Sequence, residues 1–445
     1  MKEHIEIFLD NFRGFSQTFI PIKDVSFFVG ENSTGKSSVL GIYKILLSSE
    51  FWNTGELRAR DFSFGHFDDM VSITSTNKSA FSLGIISYRQ KRNENIENDA
   101  IFLRFIEKDG LPKLNLLLII ANNCELLIKF DGNKIKHSIV EQKSKNESMD
   151  DFRTSAYNKW NNSLSDEVAI SDGLKSSDII GPADRSIPLR VIMLFLLDDF
   201  QRTKDTKKRI NFYHISINRF QRNRSIAWIA PIRTKPRRTY DDYMLDFSPE
   251  GDHTPYLIKK ILGEDSKACE FKNYISNFGS ESGLFSGIKI KKYGKNVTDP
   301  FEVDIVLEKK ALSINNVGYG VSQSLPVIVE LFNRPKNTIF LIQQPEVHLH
   351  PKAQAALGDI FYRLAVDENK KFLIETHSDY TIDSFRLSCK RNSDIVESQV
   401  LFFERGKKGN VVHVLPLDSN GDLPEDQPTQ YREFFINHEI KLLGD

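Results

Sequence analysis

Gly30-Glu31-Asn32-Ser33-Thr34-Gly35-Lys36-Ser37 has the G-x-x-x-x-G-K-S spacing of a phosphate-cradling loop. Its glycines let the backbone wrap an oligophosphate with N–H groups turned inward. The helix that follows adds partial positive charge from its N-terminus. Lys36 is then the cation for the β- and γ-phosphates, and the Ser37 hydroxyl binds Mg²⁺. Asn32, Ser33, Thr34, Gly35 and Ser38 complete the expected cradle, and its ligand is ATP. Such a loop needs a strand before it and a helix after it. Val25 to Val29 reads as the strand. Ser37 to Ser48 reads as the helix, with Val39, Leu40, Tyr43, Ile45 and Leu46 apolar.

Four further segments stand at intervals along the chain. They are Asn11-Phe12-Arg13-Gly14-Phe15, Gly318-Tyr319-Gly320-Val321-Ser322-Gln323, Phe340-Leu341-Ile342-Gln343-Gln344-Pro345-Glu346 and Glu375-Thr376-His377-Ser378. Ser322 reads as the start of a helix running through Val329. An exposed Ser at a helix N-terminus suits an anion, and the glycines before it allow close approach to another surface. Gln343 and Gln344 end one buried strand; His377 follows another. His348 and His350 make a poor zinc pair, because no third ligand lies at suitable spacing.

In order and wording these motifs resemble the ABC-type ATPases of the SMC and overcoming-lysogenization-defect (OLD) group. More narrowly, they resemble the AAA15-type, DUF3696-like ATPases of bacterial phage-defence operons. The resemblance covers residues 1 to about 80 and about 225 to 445. It implies that Gly320, Ser322 and Gln323 form a signature element touching the γ-phosphate bound by an opposite subunit. It makes His377 the switch histidine. Gln343 becomes the metal-holding Walker B position and Gln344 the water-activating one. Arg13 and Phe12 would lie near the nucleotide, with Phe12 equally a candidate for the core. His348 and His350 would belong to an interface loop, and Phe64 to Asp69 would stand in the place of a Q-loop, without its Gln. Asp68 or Asp69 would meet the metal through water or be solvated. Implied partners are a second copy in a homodimer or higher homo-oligomer, and a separate effector, a Toprim-like or HNH nuclease as in PARIS-like and Septu-like systems.

The departure from that pattern is chemical. An amide keeps a carboxylate's shape without its charge. It cannot act as a general base, and it binds Mg²⁺ more weakly. Relatives carry Gln at the second position, so Gln343 is the unusual one. Either a natural slow ATPase works as a switch, or position 343 is an engineered Glu→Gln trap. Very slow hydrolysis with ATP binding retained is the expectation.

The elements that must position these residues alternate strand and helix at the C-terminal end. Thr338 to Gln343, Lys371 to Glu375 and Gln399 to Phe403 read as strands, with helices at Lys352 to Ala365 and Tyr380 to Cys389. That alternation implies a largely parallel sheet. Ser82 to Ser87, Ala100 to Phe105, Leu114 to Ile120 and Glu125 to Phe130 read as strands of a β-rich region. Residues 142 to 180, rich in Ser, Asn, Asp and Lys, read as irregular, and a helix follows near Pro188 to Phe200. No heptad region is present, so no long coiled-coil arm is expected. The expected fold is α/β, an ABC-type (SMC/OLD-like) P-loop ATPase head with a β-rich and helical insertion. An N-terminal lobe would span 1–80, the insertion 81–225 and a C-terminal lobe 226–445.

Lys+Arg and Asp+Glu both number 60 in 445 residues, so any nucleic-acid binding must come from a local patch. Residues 202–238 hold twelve basic residues and one acid, Asp205, interleaved with Phe212, Tyr213, Phe220 and Trp228. This stretch fits a DNA groove, a solvated helix face, or phosphate contact by Arg233 or Arg237. Three dispersed cysteines and no apolar leader point to a reducing, cytoplasmic setting without membrane spans. No Toprim nuclease is expected to follow. The functional expectation is a defence ATPase that holds an effector. The alternatives are an SMC-like DNA-scanning or repair ATPase and a non-hydrolysing scaffold.

Overall fold

The computed structural model describes residues 2–59, 62–90, 96–121, 124–131, 134–141, 147–165, 175–177, 188–203, 225–241, 246–296, 298–392 and 394–434. They form two compact units. The first comprises Met1–Ile22, Asn32–Asn223 and Glu404–Val412; the second comprises Lys23–Glu31, Arg224–Phe403 and His413–Asp445.

The first unit is built on an eight-stranded sheet whose members include Lys2–Asp10, Thr18–Ile22, Ala80–Gln90, Ile96–Lys108, Leu111–Ala121 and Cys124–Asp131. Among the described residues its strands pair antiparallel. Alternation places Phe8, Ile86, Ala100, Phe102, Leu116 and Leu118 on one face. The helix Met149–Ser165 covers that face with Phe152, Ala156 and Trp160, which recur every four residues and so share one stripe. Trp160 stacks on Phe102 at 5.4 Å between ring centroids. This corrects the expectation that 142–180 is irregular. The P-loop helix, Lys36–Leu47, also belongs here.

The second unit holds five parallel strands, in the order Ile226–Ile229, Ile339–Gln343, Lys371–Glu375, Val25–Gly30 and Ser398–Gly406. Gly409–Pro416 lies outside the last of these. Every residue of Val25–Gly30 and of Ile339–Gln343 is buried. Such continuous apolar runs mark strands covered on both faces. Helices Thr254–Gly263, Asp265–Ser282, Tyr319–Asn333, Pro351–Glu368 and Asp379–Arg391 accompany the sheet. Pro351–Glu368 is the connection between strands Ile339–Gln343 and Lys371–Glu375. Gly358 lets the helix Asp379–Arg391 approach closely, since a Cβ there would sit 2.2 Å from the Thr381 carbonyl oxygen. The carboxyl ends of parallel strands are where such sheets bind ligands. Gly30, Gln343 and Glu375 all end strands at that edge.

Candidate functional site

The chain passes from the second unit to the first inside the P-loop, between Glu31 and Asn32. On the first unit's side, Gly35 caps the P-loop helix with φ 94°, a left-handed conformation. A Cβ there would meet the Phe15 ring at 2.4 Å. No acid stands in the helix's first turn, as an anion site requires. Lys36 and Thr34 are buried, whereas Asn32 and Ser33 are exposed and Ser37 is half-buried. Arg405 donates to the Ser33 carbonyl at 3.4 Å. Arg13 reaches the same helix through Ser38, whose Oγ it meets at 3.4 Å, and it donates to the carbonyls of Asp69 and Phe64. Burial lowers its pKa, against the pull of Asp69.

Phe12, for which the core and a place near the nucleotide were equal expectations, is fully buried and packs on Phe64 and Phe81, each at 5.3 Å between centroids. Asp68 is exposed. Asp69 accepts the His66 backbone N–H and so caps a short 3-10 turn.

In the second unit the two glutamines end their strand beside Glu375. Gln343 lies on the same rung as Glu375, and its Nε2 donates to Glu375 Oε2 at 3.0 Å. The Gln344 N–H donates to the Glu375 carbonyl at 2.7 Å. Gln344 has φ 44°, a left-handed conformation rare outside glycine and found at functional turns. Arg233, fully buried, fixes this turn by donating to the carbonyls of Gln343 and Gln344 at 3.1 and 3.3 Å. Of the two candidates for phosphate contact, Arg233 is thus tied to this turn and Arg237 is exposed. Its pKa is lowered to about 10 by burial, with Glu346 opposing. Glu346 accepts the His377 backbone N–H at 2.7 Å. Burial pushes its carboxyl up, against hydrogen bonds and Arg233. His377 is half-buried, and its ring lies 6.1 Å from that of Phe434.

The helix Tyr319–Asn333 begins earlier than expected. Ser322 is buried, not exposed, and its Oγ donates to the Tyr319 carbonyl at 2.8 Å. The side-chain Nε2 of buried Gln323 has no hydrogen-bond partner. The close approach at Gly320 is internal: a Cβ there would lie 2.6 Å from the His348 carbonyl oxygen. His348 packs edge-on against Tyr319, and His350 caps the helix Pro351–Glu368 by accepting from Ala353 N.

A family model for an AAA ATPase domain, AAA_15, matches residues 1–382. The chain belongs to the AAA_15 family of ATPase domains. No curated protein matches it. Similar solved structures include an SMC head bound to the C-terminal winged-helix domain of ScpA, with 12% identity, TM-score 0.40 and coverage of 93% of this chain and 97% of that one. The Thermotoga maritima SMC head shows 10% identity, TM-score 0.39 and coverage of 93% and 99%. The recombination mediator RecF with its nucleotide shows 12%, 0.31, and coverage of 93% and 98%.

An AAA_15 ATPase domain binds a nucleotide, typically with Mg²⁺, and the residues present fit that pair. Mg²⁺ in such sites keeps waters and takes one or two carboxylates plus substrate phosphates. Within the first unit, the Ser37 hydroxyl at the start of the P-loop helix is the group available to such a metal. Among the described residues no cluster of three or more His, Cys, Asp and Glu could hold a metal. Among them, too, no helix is long and apolar enough to cross a membrane. Of the basic 202–238 stretch, residues 204–224 lie outside the described residues. Glu375, beside Gln343, is not singled out by motif spacing; its place at the end of an apolar strand, immediately before Thr376-His377, is the local signal for it.

Proposed function

We propose that this AAA_15 ATPase domain is an ABC-type head that binds ATP and self-associates around it. The P-loop of one copy and the signature segment 318–323 of another would enclose each nucleotide. In bacterial defence the assembly would hold a separate effector, a Toprim-like or HNH nuclease, until a trigger arrives. The observation that carries this reading is the contrast between two halves of the site. The P-loop is complete, with Gly35, Lys36 and Ser37 in a strand–loop–helix frame. The strand end where the resemblance puts an acid at position 343 carries two amides. Binding is preserved where hydrolysis is weakened, as a latch requires.

Lys36 and Ser37 would hold the phosphates and the metal, and Mg²⁺ would neutralise charge between the phosphates. His377 would sense the γ-phosphate. The pair of amides also supports a second reading, an ATP-dependent scaffold without turnover. Turnover assays on the parent and on Gln343→Glu test the main reading. Slow turnover in the parent and faster turnover in the variant are expected, with ATP binding in both. Equal, rapid turnover in the two proteins would sink it.

A further inference from the structure

We propose that a cleft of about 850 Å³ in the first unit binds a small hydroxylated phosphate ester of the sugar-phosphate class. Its lining residues all belong to that unit. Pockets for small ligands run from roughly 300 to 1,000 Å³. The sheet face that carries Ala100 and Phe102 continues to Arg104 by strand alternation. The helix Met149–Ser165 covers that face and reaches the cleft with Leu164. Arg104, half-buried, lines the cleft too, a charge on a face that is otherwise apolar. Lys407 and Lys408 supply two more cations, exposed on the turn between the strands Ser398–Gly406 and Gly409–Pro416. Among the described residues none of the three has an acidic partner. Unpaired cations gathered in one cleft favour an anion, and Arg and Lys bond phosphate through charge-assisted hydrogen bonds.

The cleft also holds one acid. Asp10 Oδ1 accepts the Gln17 backbone N–H at 3.0 Å. The carboxylate repels a phosphate and accepts from a hydroxyl. Thr74 and Thr76, exposed along the cleft, offer hydroxyls that donate and accept. Cations for a phosphate and an acceptor for a hydroxyl are the two halves of sugar-phosphate recognition. The acid counts against a continuous phosphodiester strand, which has no hydroxyl to spare for it in DNA.

The cleft borders the support of the P-loop. Phe15 lines it, and a Cβ at Gly35 would meet the Phe15 ring. The lysine-bearing turn is tied to the same segments. The Asn410 N–H donates to the Gly14 carbonyl at 2.7 Å, and its side-chain amide donates to the Arg13 carbonyl at 2.9 Å. Arg405, just before the turn, holds the Ser33 carbonyl. A ligand in the cleft therefore bears on ATP affinity, and linkage makes the effect reciprocal. This coupling, unlike the cleft itself, rests on the ATP-binding reading above.

The test is titration calorimetry on the full chain with fructose bisphosphate as the probe. Fructose, inorganic phosphate and a short DNA duplex are the comparison ligands. The variants are Arg104→Gln, Lys407→Ala with Lys408→Ala, and Lys36→Ala. Fructose bisphosphate should bind at least about tenfold more tightly than fructose or phosphate, and each set of cation variants should lose about tenfold or more. The two lysines are exposed, so their replacement leaves the fold intact. Lys36→Ala should keep the probe's affinity within about twofold, since the P-loop is a separate phosphate site. No binding of fructose bisphosphate overturns the proposal. So does equal affinity for inorganic phosphate, or a loss in Lys36→Ala, which would put the probe in the P-loop. A duplex that binds through the same lysines where fructose bisphosphate does not overturns it as well. Saturating fructose bisphosphate should change ATP affinity about fivefold or more. ATP affinity that ignores the probe overturns the coupling. A parent that does not bind ATP defeats the ATP reading, while the probe's own titration still decides the cleft.

Discussion

Gln344 shows how a residue's neighbours hold an unfavourable conformation. Its left-handed φ is stabilised by its N–H on the Glu375 carbonyl and by Arg233 on its own carbonyl. Arg233→Ala removes the bonds to both glutamine carbonyls and the cation opposing Glu346's burial. Breaking a buried charged network in this way costs about 3–5 kcal/mol, and denaturant unfolding should register that loss.

Glu346 gives a pH signature. Burial pushes its carboxyl above the ordinary 4.5. The stability owed to its protonated form is complete below that value and fades as pH rises through the raised folded one. Glu346→Gln cannot ionise, so its melting temperature should gain on the parent's as pH climbs past 4.5. A pH-independent difference would contradict this. The sequence made Gln343, Gln344 and His377 visible through motif spacing. It could not show Arg233 and Glu346 beneath them, because tertiary contacts between distant segments leave no local pattern.

At the scale of elements, strong periodicity was legible and weak periodicity was not. The expected strand Val25 to Val29 falls inside the observed Val25–Gly30, and Thr338 to Gln343 overshoots the observed Ile339–Gln343 by one residue. The helix Met149–Ser165 escaped because the residues it packs on the sheet, Phe152, Ala156 and Trp160 with Tyr157 and Leu164, stand in a background of Ser, Asn and Asp. Helices of this kind owe their stability to packing more than to propensity. Trp160 is fully buried on Phe102. Trp160→Ala should therefore cost about 3–5 kcal/mol, measured as a fall in the unfolding midpoint. An effect below about 1 kcal/mol would mean that the helix does not depend on this contact. The buried position of Ser322 was illegible for another reason. A helix start read from a serine slips by one turn when a glycine pair permits an uncapped beginning at Tyr319.

For the whole molecule, the α/β class and the parallel sheet followed from alternating strand and helix patterns, and the P-loop from an eight-residue spacing. The central claim is that ATP completes its site only between two copies. Gly318 is exposed at the start of the signature helix, with open space around the position of a Cβ. Gly318→Glu would put a carboxylate where the proposed arrangement puts a partner's γ-phosphate, at little internal cost. The direct measurement is molecular mass by light scattering with and without ATP for the parent, Lys36→Ala, Gly318→Glu and an equal mixture of the two variants. ATP should raise the parent's mass to that of a dimer or more and leave each variant alone unchanged. It should restore association in the mixture, where one intact P-loop meets one intact signature helix. A parent whose mass ignores ATP, or a mixture no different from its parts, would contradict the account.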